Sequence, residues 1–484
     1  MKPDPVERLH IRRLETDSRR VRRGDTFVAY PGETQDGRRY IGQALERGAH
    51  SVLWEKRGFC WRREWRTPNL GVTNLRARAG VIASKVYGEP SEKLWMVGVT
   101  GTNGKTTCSQ WLAQAFRQCG RRSAVIGTLG YGTSRLKPLV NTTPDAVWLH
   151  AQLRNFQRAG VDAVAMEVSS IGLDQDRVAG VDFDCALFTN LTRDHLDYHG
   201  TMQRYRRAKL KLFERRELAH AILNFDDDFG RAIAGQVKRR GLALLGYGFG
   251  MHADVKRVPR VAGANLHAGA AGMRFDVRTP WGSACIESSL IGRHNAWNLL
   301  GTLSTLLASG IRLQDAVTVL GKLKPAAGRM QKIGGGRRPL AVIDYAHSPD
   351  ALEQALTSLR DLARGTPARI ICVFGCGGDR DRGKRALMGS IATRFADCVV
   401  ITNDNPRTEN PRRIIADIRQ GTSGAYIVEP DRRRAIAAAL EEAKRGDIVL
   451  IAGKGHEGYQ EVNGVRHPFS DMAVARAALR RLHS

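Results

Sequence analysis

Residues Leu94 to Phe116 read L-W-M-V-G-V-T, then G-T-N-G-K-T-T, then C-S-Q-W-L-A-Q-A-F. An apolar run of strand length gives way to a glycine turn and then to a helical apolar period. That succession opens a parallel sheet wrapped by helices. Glycines in such a turn let backbone N–H groups approach a phosphate chain, and the helix N-terminus that follows favours the anion. Gly101, Thr102, Asn103, Gly104, Lys105, Thr106 and Thr107 are therefore candidate nucleotide contacts, with Lys105 reaching the terminal phosphates and the Thr106 hydroxyl taking Mg²⁺. The spacing G-x-x-x-x-G-K-[ST] is not quite met, because Val99 stands at its first glycine and Gly98 lies one position early. ATP or GTP is the expected ligand.

Working outward, strands V-D-A-V-A-M-E-V (161–168) and C-A-L-F-T (185–189) alternate with helical stretches. Before residue 94 the chain has short strands and turns, such as T-F-V-A-Y-P-G (26–32), then the helical I-G-Q-A-L-E-R-G-A (41–49). From about 326 a further series begins: P-L-A-V-I-D-Y, R-I-I-C-V-F-G, D-C-V-V-I-T-N and D-I-V-L-I-A-G, separated by amphipathic helices. At roughly 150 residues per domain, 484 residues allow about three domains. The expected class is α/β with three domains: a small N-terminal α/β domain (1–93), a central P-loop-type parallel-sheet ATPase domain (94–325) and a C-terminal Rossmann-like domain (326–484).

Composition narrows the class. The longest apolar runs, Ile370 to Phe374 and Ile448 to Ala452, fall far below the roughly 20 residues of a membrane-spanning helix. The start, M-K-P-D-P-V-E-R, lacks the apolar stretch of a secretory signal, and the eight cysteines are scattered, so a cytoplasmic protein with reduced thiols is expected. The 76 Lys and Arg against 48 Asp and Glu leave a net charge of +28, which asks for an anionic partner. The basic residues spread along the whole chain, with no nucleic-acid motif or interleaved aromatic platform, so a solvated basic surface is the reading.

Other segments carry chemistry. Asn190 to Gly200 (N-L-T-R-D-H-L-D-Y-H-G) follows a strand, and Glu167 ends the strand before it; a carboxylate and an imidazole such as His195 there can hold a divalent cation that bridges phosphates. Tyr205 to Phe213, with Lys209 and Lys211, reads by itself as a basic solvated helix. Asn295 and Asn298, three apart at a helix start, face one side and could read an adenine edge. Arg329 and Asp344 flank the opening of the third block. There, G-C-G-G-D-R (375–380), D-N-P-R (404–407) and G-K-G-H-E (453–457) each follow a strand, so Arg380, Arg407 and Glu457 converge at the carboxyl ends of one sheet. Two guanidiniums suit carboxylates and a glutamate suits an ammonium, which is recognition chemistry for an amino acid.

These residues resemble the Mur ligases of peptidoglycan synthesis, over essentially the whole chain. T-G-T-N-G-K-T-T is similar to that family's own phosphate loop. The resemblance implies a cytoplasmic, monomeric ligase acting on small-molecule substrates, with ATP as substrate, Mg²⁺ as cofactor and neither membrane insertion nor a nucleic-acid partner. It implies ATP contacts at the phosphate loop, Asn295, Asn298, Arg329 and Asp344. It places a UDP-N-acetylmuramoyl peptide on Thr16, Ser18, Glu33, Thr34, Gln35, Asn141, Thr142, Thr143, Ser169, Gln175 and Arg177. It reverses the reading of Lys209, whose family counterpart is carbamylated (N6-carboxylysine) and helps hold Mg²⁺ with Thr106, Glu167 and His195; Lys105, Lys209, Glu167 and His195 are then the catalytic set. The motif Asp404, Asn405, Pro406, Arg407 is what the family uses to choose meso-2,6-diaminopimelate, with Arg407 on its distal carboxylate and Arg380, Gly453 and Glu457 around it. This sequence has Ile171 in S-S-I-G-L where the family has His.

A carboxylate acylates poorly because its charge repels nucleophiles. The resemblance implies that ATP phosphorylates the γ-carboxylate of a D-glutamyl residue in UDP-N-acetylmuramoyl-L-alanyl-D-glutamate, after which the amine of meso-diaminopimelate displaces phosphate. With nucleotide and amino-acid motifs on different blocks, closure between them is expected. The competing expectations are a lysine-adding homologue or a folylpolyglutamate synthase-like ligase, against which D-N-P-R and the N-terminal block argue. Outside that class stands a basic P-loop ATPase that binds nucleic acid.

Overall fold

The computed structural model describes residues 6–33, 35–255, 257–269 and 271–482. Three large sheets lie in chain order, followed by a two-stranded antiparallel ribbon, Tyr459–Val462 with Val465–Pro468. The first is parallel, Leu14–Glu15, Thr26–Ala29, Ser51–Glu55 and Asn69–Val72 side by side. The helical reading of 41–49 shortens to Ile41–Glu46, because Gly48 turns out at φ +90° and ends it.

The middle sheet has ten strands. Its parallel core runs Arg260–Gly269, Ala243–Gly248, His220–Asn224, Cys185–Phe188, Trp95–Thr100, Ala163–Glu167, Ser123–Gly127. The strand Trp95–Thr100 lies between neighbours reached in opposite directions, so the loop after it opens at a topological switch point. Its residues are buried on both faces, which is why the run reads as continuous apolar sequence. The antiparallel ribbon Arg260–Gly269, Gly272–Thr279, Gly282–Ser288 extends one edge and is an addition to the sequence reading. Two apolar layers cover the faces, one around Trp111, Phe116 and Leu303, the other around Met166, Phe183 and Phe213.

The third sheet orders Gln331–Gly334, Leu340–Asp344, Ile448–Ala452, Ile370–Phe374, Cys398–Ile401 and Tyr426–Val428, parallel except for the first. All its functional loops leave the carboxyl ends.

The first two units meet closely. On the helix Leu75–Val86, a Cβ added at Gly80 would lie 2.2 Å from the Ala179 carbonyl, so the backbones touch where any side chain would separate them. The third unit is tethered differently: Trp111 Nε1 and Gln114 Nε2 donate to the Lys324 carbonyl at 3.0 and 3.3 Å, pinning the segment that leads into it.

The sequence reading of the basic residues needs one correction. In the connection after Ser51–Glu55, Phe59 and Trp61 pack on Trp54 at ring separations of 5.7 and 5.8 Å, Trp65 packs on Phe59 and Trp61 at 6.4 and 5.1 Å, and Arg38 and Arg62 lie over Phe59 and Trp65 at 5.1 and 5.2 Å. Arginine and aromatic residues therefore do interleave here. The rings stack on one another and under guanidiniums.

Candidate active site

The phosphate loop is built as its sequence requires. Gly104 caps the helix Lys105–Gln118 at φ +83°, and a Cβ there would lie 2.5 Å from Asn298 Oδ1. Lys105 Nζ folds back to donate to the carbonyls of Gly101 (2.8 Å) and Thr102 (2.7 Å), and burial lowers its pKa. Thr106 Oγ1 donates to Glu167 Oε2 at 2.9 Å, and Arg329 from the third unit donates to the same hydroxyl at 3.1 Å. Glu167 is fully buried and also accepts from the backbone and hydroxyl of Thr128.

Lys209 is not solvated. It is 1% exposed, donates to the Gly101 carbonyl at 2.6 Å and lies 4.6 Å from the Tyr205 ring. Burial, then the neighbouring charge of Lys105, holds its pKa well below the ordinary lysine value. His195 sits at φ +53° just before the short helix Leu196–His199, with Nε2 3.6 Å from Asp194. Burial would raise the Asp194 carboxyl, yet His195, His347 and Lys384 around it hold it down to about 2. Lys105, Glu167, Lys209 and His195 thus share one crevice, and Tyr205, whose hydroxyl lies 3.0 Å from Thr102 Oγ1, joins them unforeseen. Among the described residues, no three His, Cys, Asp or Glu side chains group as a metal site.

Beside the loop lies a cavity of about 440 Å³. Asn103, Gly104 and Asn298 line it from the middle unit, and Asp350, Gln354 and Ser358 from the helix Pro349–Ala363 of the third. Asn295 and Asn298 do not both face it: Asn298 Nδ2 donates to Asn295 Oδ1 at 3.0 Å, and Asn295 Nδ2 is spent on the Ile291 carbonyl. Asn295 is a support for Asn298. Asp344 likewise braces the chain, accepting from the backbone of Met330 and Ala346. Asp350, which no motif announced, accepts from Asn103 Nδ2 at 2.7 Å and Thr192 Oγ1 at 3.3 Å, joining the third unit to the phosphate loop.

The residues assigned to the peptide-nucleotide gather at the joint of the first two units. Asp145 takes the Tyr30 hydroxyl (2.8 Å) and Thr16 Oγ1 (3.5 Å). Glu33 accepts from Gln175 and from Tyr198, and Arg177 donates to Gln175 and to the Thr143 carbonyl. Thr143 and Ser169 bond each other at 3.0 Å, while Thr142 lies 3.0 Å from Thr128. Ser18 turns instead to Gln43, Gln35 accepts from Tyr40, and Asn141 is exposed. Thr34 lies outside the described residues. Next to Ile171, His199 Nε2 sits 3.0 Å from Ser170 Oγ, so an imidazole does reach this segment from another helix.

In the third unit the strand-end loops meet. Asn405 Nδ2 donates to Glu457 Oε2 at 2.8 Å, and Arg407 Nη1 donates to the Gly378 carbonyl at 2.7 Å with its backbone at φ +54°. Arg380 is exposed beside Gly377, which Arg407 also flanks. A Cβ at Gly453 would lie 2.5 Å from Asp404 Oδ2. Pro406 sits among buried neighbours in the same turn.

Comparison with known proteins gives the family. Family models described as "Mur ligase family, catalytic domain", "Mur ligase middle domain" and "Mur ligase, glutamate ligase domain" match residues 10–87, 99–306 and 328–455. A Chromobacterium violaceum protein, 51% identical over 97% of this chain and 94% of its own length, is named UDP-N-acetylmuramoyl-L-alanyl-D-glutamate--2,6-diaminopimelate ligase. The chain belongs to the Mur ligase family. A Pseudomonas aeruginosa Mur ligase of the same name is 48% identical over 99% of this chain and 96% of its own. A solved structure titled for that ligase superposes with a TM-score of 0.70 at 37% identity, covering 98% of this Mur ligase and 96% of the other chain. An Acinetobacter baumannii MurF crystal structure, 19% identical with a TM-score of 0.66 over 92% of this chain and 90% of its own, shares the fold.

Proposed function

We propose that the chain is an ATP-dependent, ADP-forming amide ligase that joins meso-2,6-diaminopimelate to UDP-N-acetylmuramoyl-L-alanyl-D-glutamate, working as a cytoplasmic monomer in peptidoglycan precursor synthesis. The observation that carries this reading is the meeting of the D-N-P-R and G-K-G-H-E loops through Asn405 and Glu457, with Arg407 alongside. The ligase names of relatives near half identity support it. Domain borders at 93/94 and 325/326 fall between the sheets, which supports them. No helix among the described residues is long and apolar enough to cross a membrane, and all eight cysteines are free.

In this reading ATP lies in the cavity beside Gly104 and Asn298, with its phosphates against the N-terminus of Lys105–Gln118. Lys105, released from its two loop carbonyls, and Arg329 neutralise the transferring phosphoryl group. Oxygen donors on Thr106 and Glu167 fit a hard divalent cation, and such an ion, when bound, adds charge neutralisation on the phosphates. Lys209, buried and with its pKa lowered by that burial, is the amine that would add to CO₂, forming an N–C bond and losing a proton to give an anionic carbamate. That carbamate, with Glu167 and His195, would complete a set of metal-ligating groups beside the phosphates. The peptide-nucleotide then spans Thr16, Glu33, Thr143, Ser169, Gln175 and Arg177, its D-glutamyl carboxylate directed to the phosphate loop. The diaminopimelate amine, presented from the third domain, attacks the acyl phosphate and phosphate leaves. Positioning carries much of the rate. Contacts of Asp350 and Arg329 with the loop support an encounter between domains as part of the cycle.

The test is ATP-dependent ligation with UDP-N-acetylmuramoyl-L-alanyl-D-glutamate and a panel of amino acids. Stoichiometric ADP, phosphate and diaminopimelate adduct are expected; preference for L-lysine would overturn the specificity. Arg407→Ala should raise the KM for diaminopimelate and lose the discrimination, and unchanged discrimination would mean that Arg407 is misassigned.

A further inference from the structure

The G-K-G-H-E loop holds a lysine that no motif above uses. The Lys454 side chain is fully buried. Its Nζ donates to Asn405 Oδ1 at 2.9 Å and to Glu457 Oε2 at 2.9 Å, while Asn405 Nδ2 donates to that same glutamate oxygen at 2.8 Å. The Glu461 backbone N–H closes on Asn405 Oδ1, also at 2.9 Å. Burying a cation is unfavourable unless it is paired and hydrogen-bonded, and this triangle supplies both. The reverse constraint is the useful one. With two donors on Oε2, the Glu457 carboxylate is held in one rotation, and Oε1 is the oxygen left for a ligand ammonium. The root of the loop is fixed as well. Arg432, paired with Asp471 at 2.8 Å and fully buried with it, donates to the Ala452 carbonyl.

We infer that Lys454 is a positioning residue for the amino-acid substrate: it docks Glu457 onto Asn405, so that one carboxylate oxygen and the Arg407 guanidinium are offered together to the ammonium and carboxylate of a single amino-acid head group. This deepens, and rests on, the reading of the third domain as the diaminopimelate site. It also explains why D-N-P-R needs its asparagine, whose oxygen holds the lysine while its nitrogen holds the glutamate.

The experiment compares full-length wild type, Lys454→Met, which loses charge and donors, and Lys454→Gln, which keeps a donor. It reads KM for each substrate, thermal unfolding, and acyl-phosphate formation trapped as the hydroxamate without amino acid. Losing charge-assisted hydrogen bonds should raise the diaminopimelate KM of the Met variant at least about tenfold, with a smaller rise for Gln. The KM for ATP and for the peptide-nucleotide, and the hydroxamate yield, should stay within about twofold in the same variants. An unchanged diaminopimelate KM in a folded variant overturns the inference. So does a parallel loss of every KM and of hydroxamate, which would make Lys454 merely structural. If the Met variant does not fold, the Gln variant decides on the same readouts. A wild type that forms hydroxamate but never uses diaminopimelate sinks the functional reading instead.

Discussion

At the scale of single residues, the site rests on charges taken out of water. Lys105 is half-buried, with its ammonium donating to loop carbonyls, which suits a cation kept for an incoming phosphate. Lys105→Ala should lower kcat by about 10²–10³, the usual loss for one preorganised electrostatic donor, with circular dichroism unchanged. Glu167→Gln keeps one acceptor oxygen, replaces the other with an amide donor and removes the charge, so the Mg²⁺ concentration for half-maximal ligation should rise about 10–100-fold. A Mg²⁺ titration that overlays the wild type would remove Glu167 from the metal's surroundings. The phosphate loop was legible because its chemistry is local, seven residues between a strand and a helix. Lys209 was not legible from its residues alone. Basic neighbours on its helix give the pattern of a solvated face, and only the Tyr205 ring and the Gly101 carbonyl, about a hundred residues apart in sequence, reveal the burial.

Among the elements, two joints bear the load. Asp145 caps the helix Ala146–Arg158 through the N–H groups of Val147 and Trp148 and also takes the Tyr30 hydroxyl. Asp145→Ala should cost about 1 kcal/mol for the lost cap and a further roughly 1–3 kcal/mol for the stranded hydroxyl, measured by urea unfolding. The second joint is the buried Arg432–Asp471 pair between helices Arg432–Glu442 and Asp471–Arg481. Removing either partner alone should destabilise by about 3–5 kcal/mol, whereas an apolar double replacement should recover most of that. A double-variant loss equal to the sum of the two single losses would show that the ions are not coupled. The helices and strands of these joints follow from periodicity. The pairing does not, since Arg432 stands in an R-R-R run whose other members face outward.

For the whole molecule, acid is the predicted weakness. Burial holds the imidazoles of His150, His294, His347 and His456 at about 4. Unfolded histidine titrates near 6.5, so on acidification the unfolded chain takes protons first. Stability from these groups is therefore full above about pH 6.5 and lost as pH falls toward 4. For His150, fully buried, the shift corresponds to about 3 kcal/mol. A Tm that stays flat from pH 7 to 5 would sink this account. The net charge of +28 is only partly absorbed by Lys105, Arg177, Arg329, Arg380, Lys454 and Arg407, and nothing in the structure explains the remainder. Salt-sensitive oligonucleotide binding that stimulates ATP hydrolysis without ligation would revive the nucleic-acid alternative.

The backbone contact at Gly80 limits how such proteins can be recombined. Because the Leu75–Val86 helix meets Ala179 with no room for a Cβ, a chimera that exchanged only the chain before Leu94 would have to carry a matching small residue and matching curvature on both faces. A crossover placed in the segment pinned at Lys324 transplants the first two units as one piece and leaves their joint intact. Modularity in this architecture therefore divides the chain two to one, with the amino-acid-selecting portion as the exchangeable part.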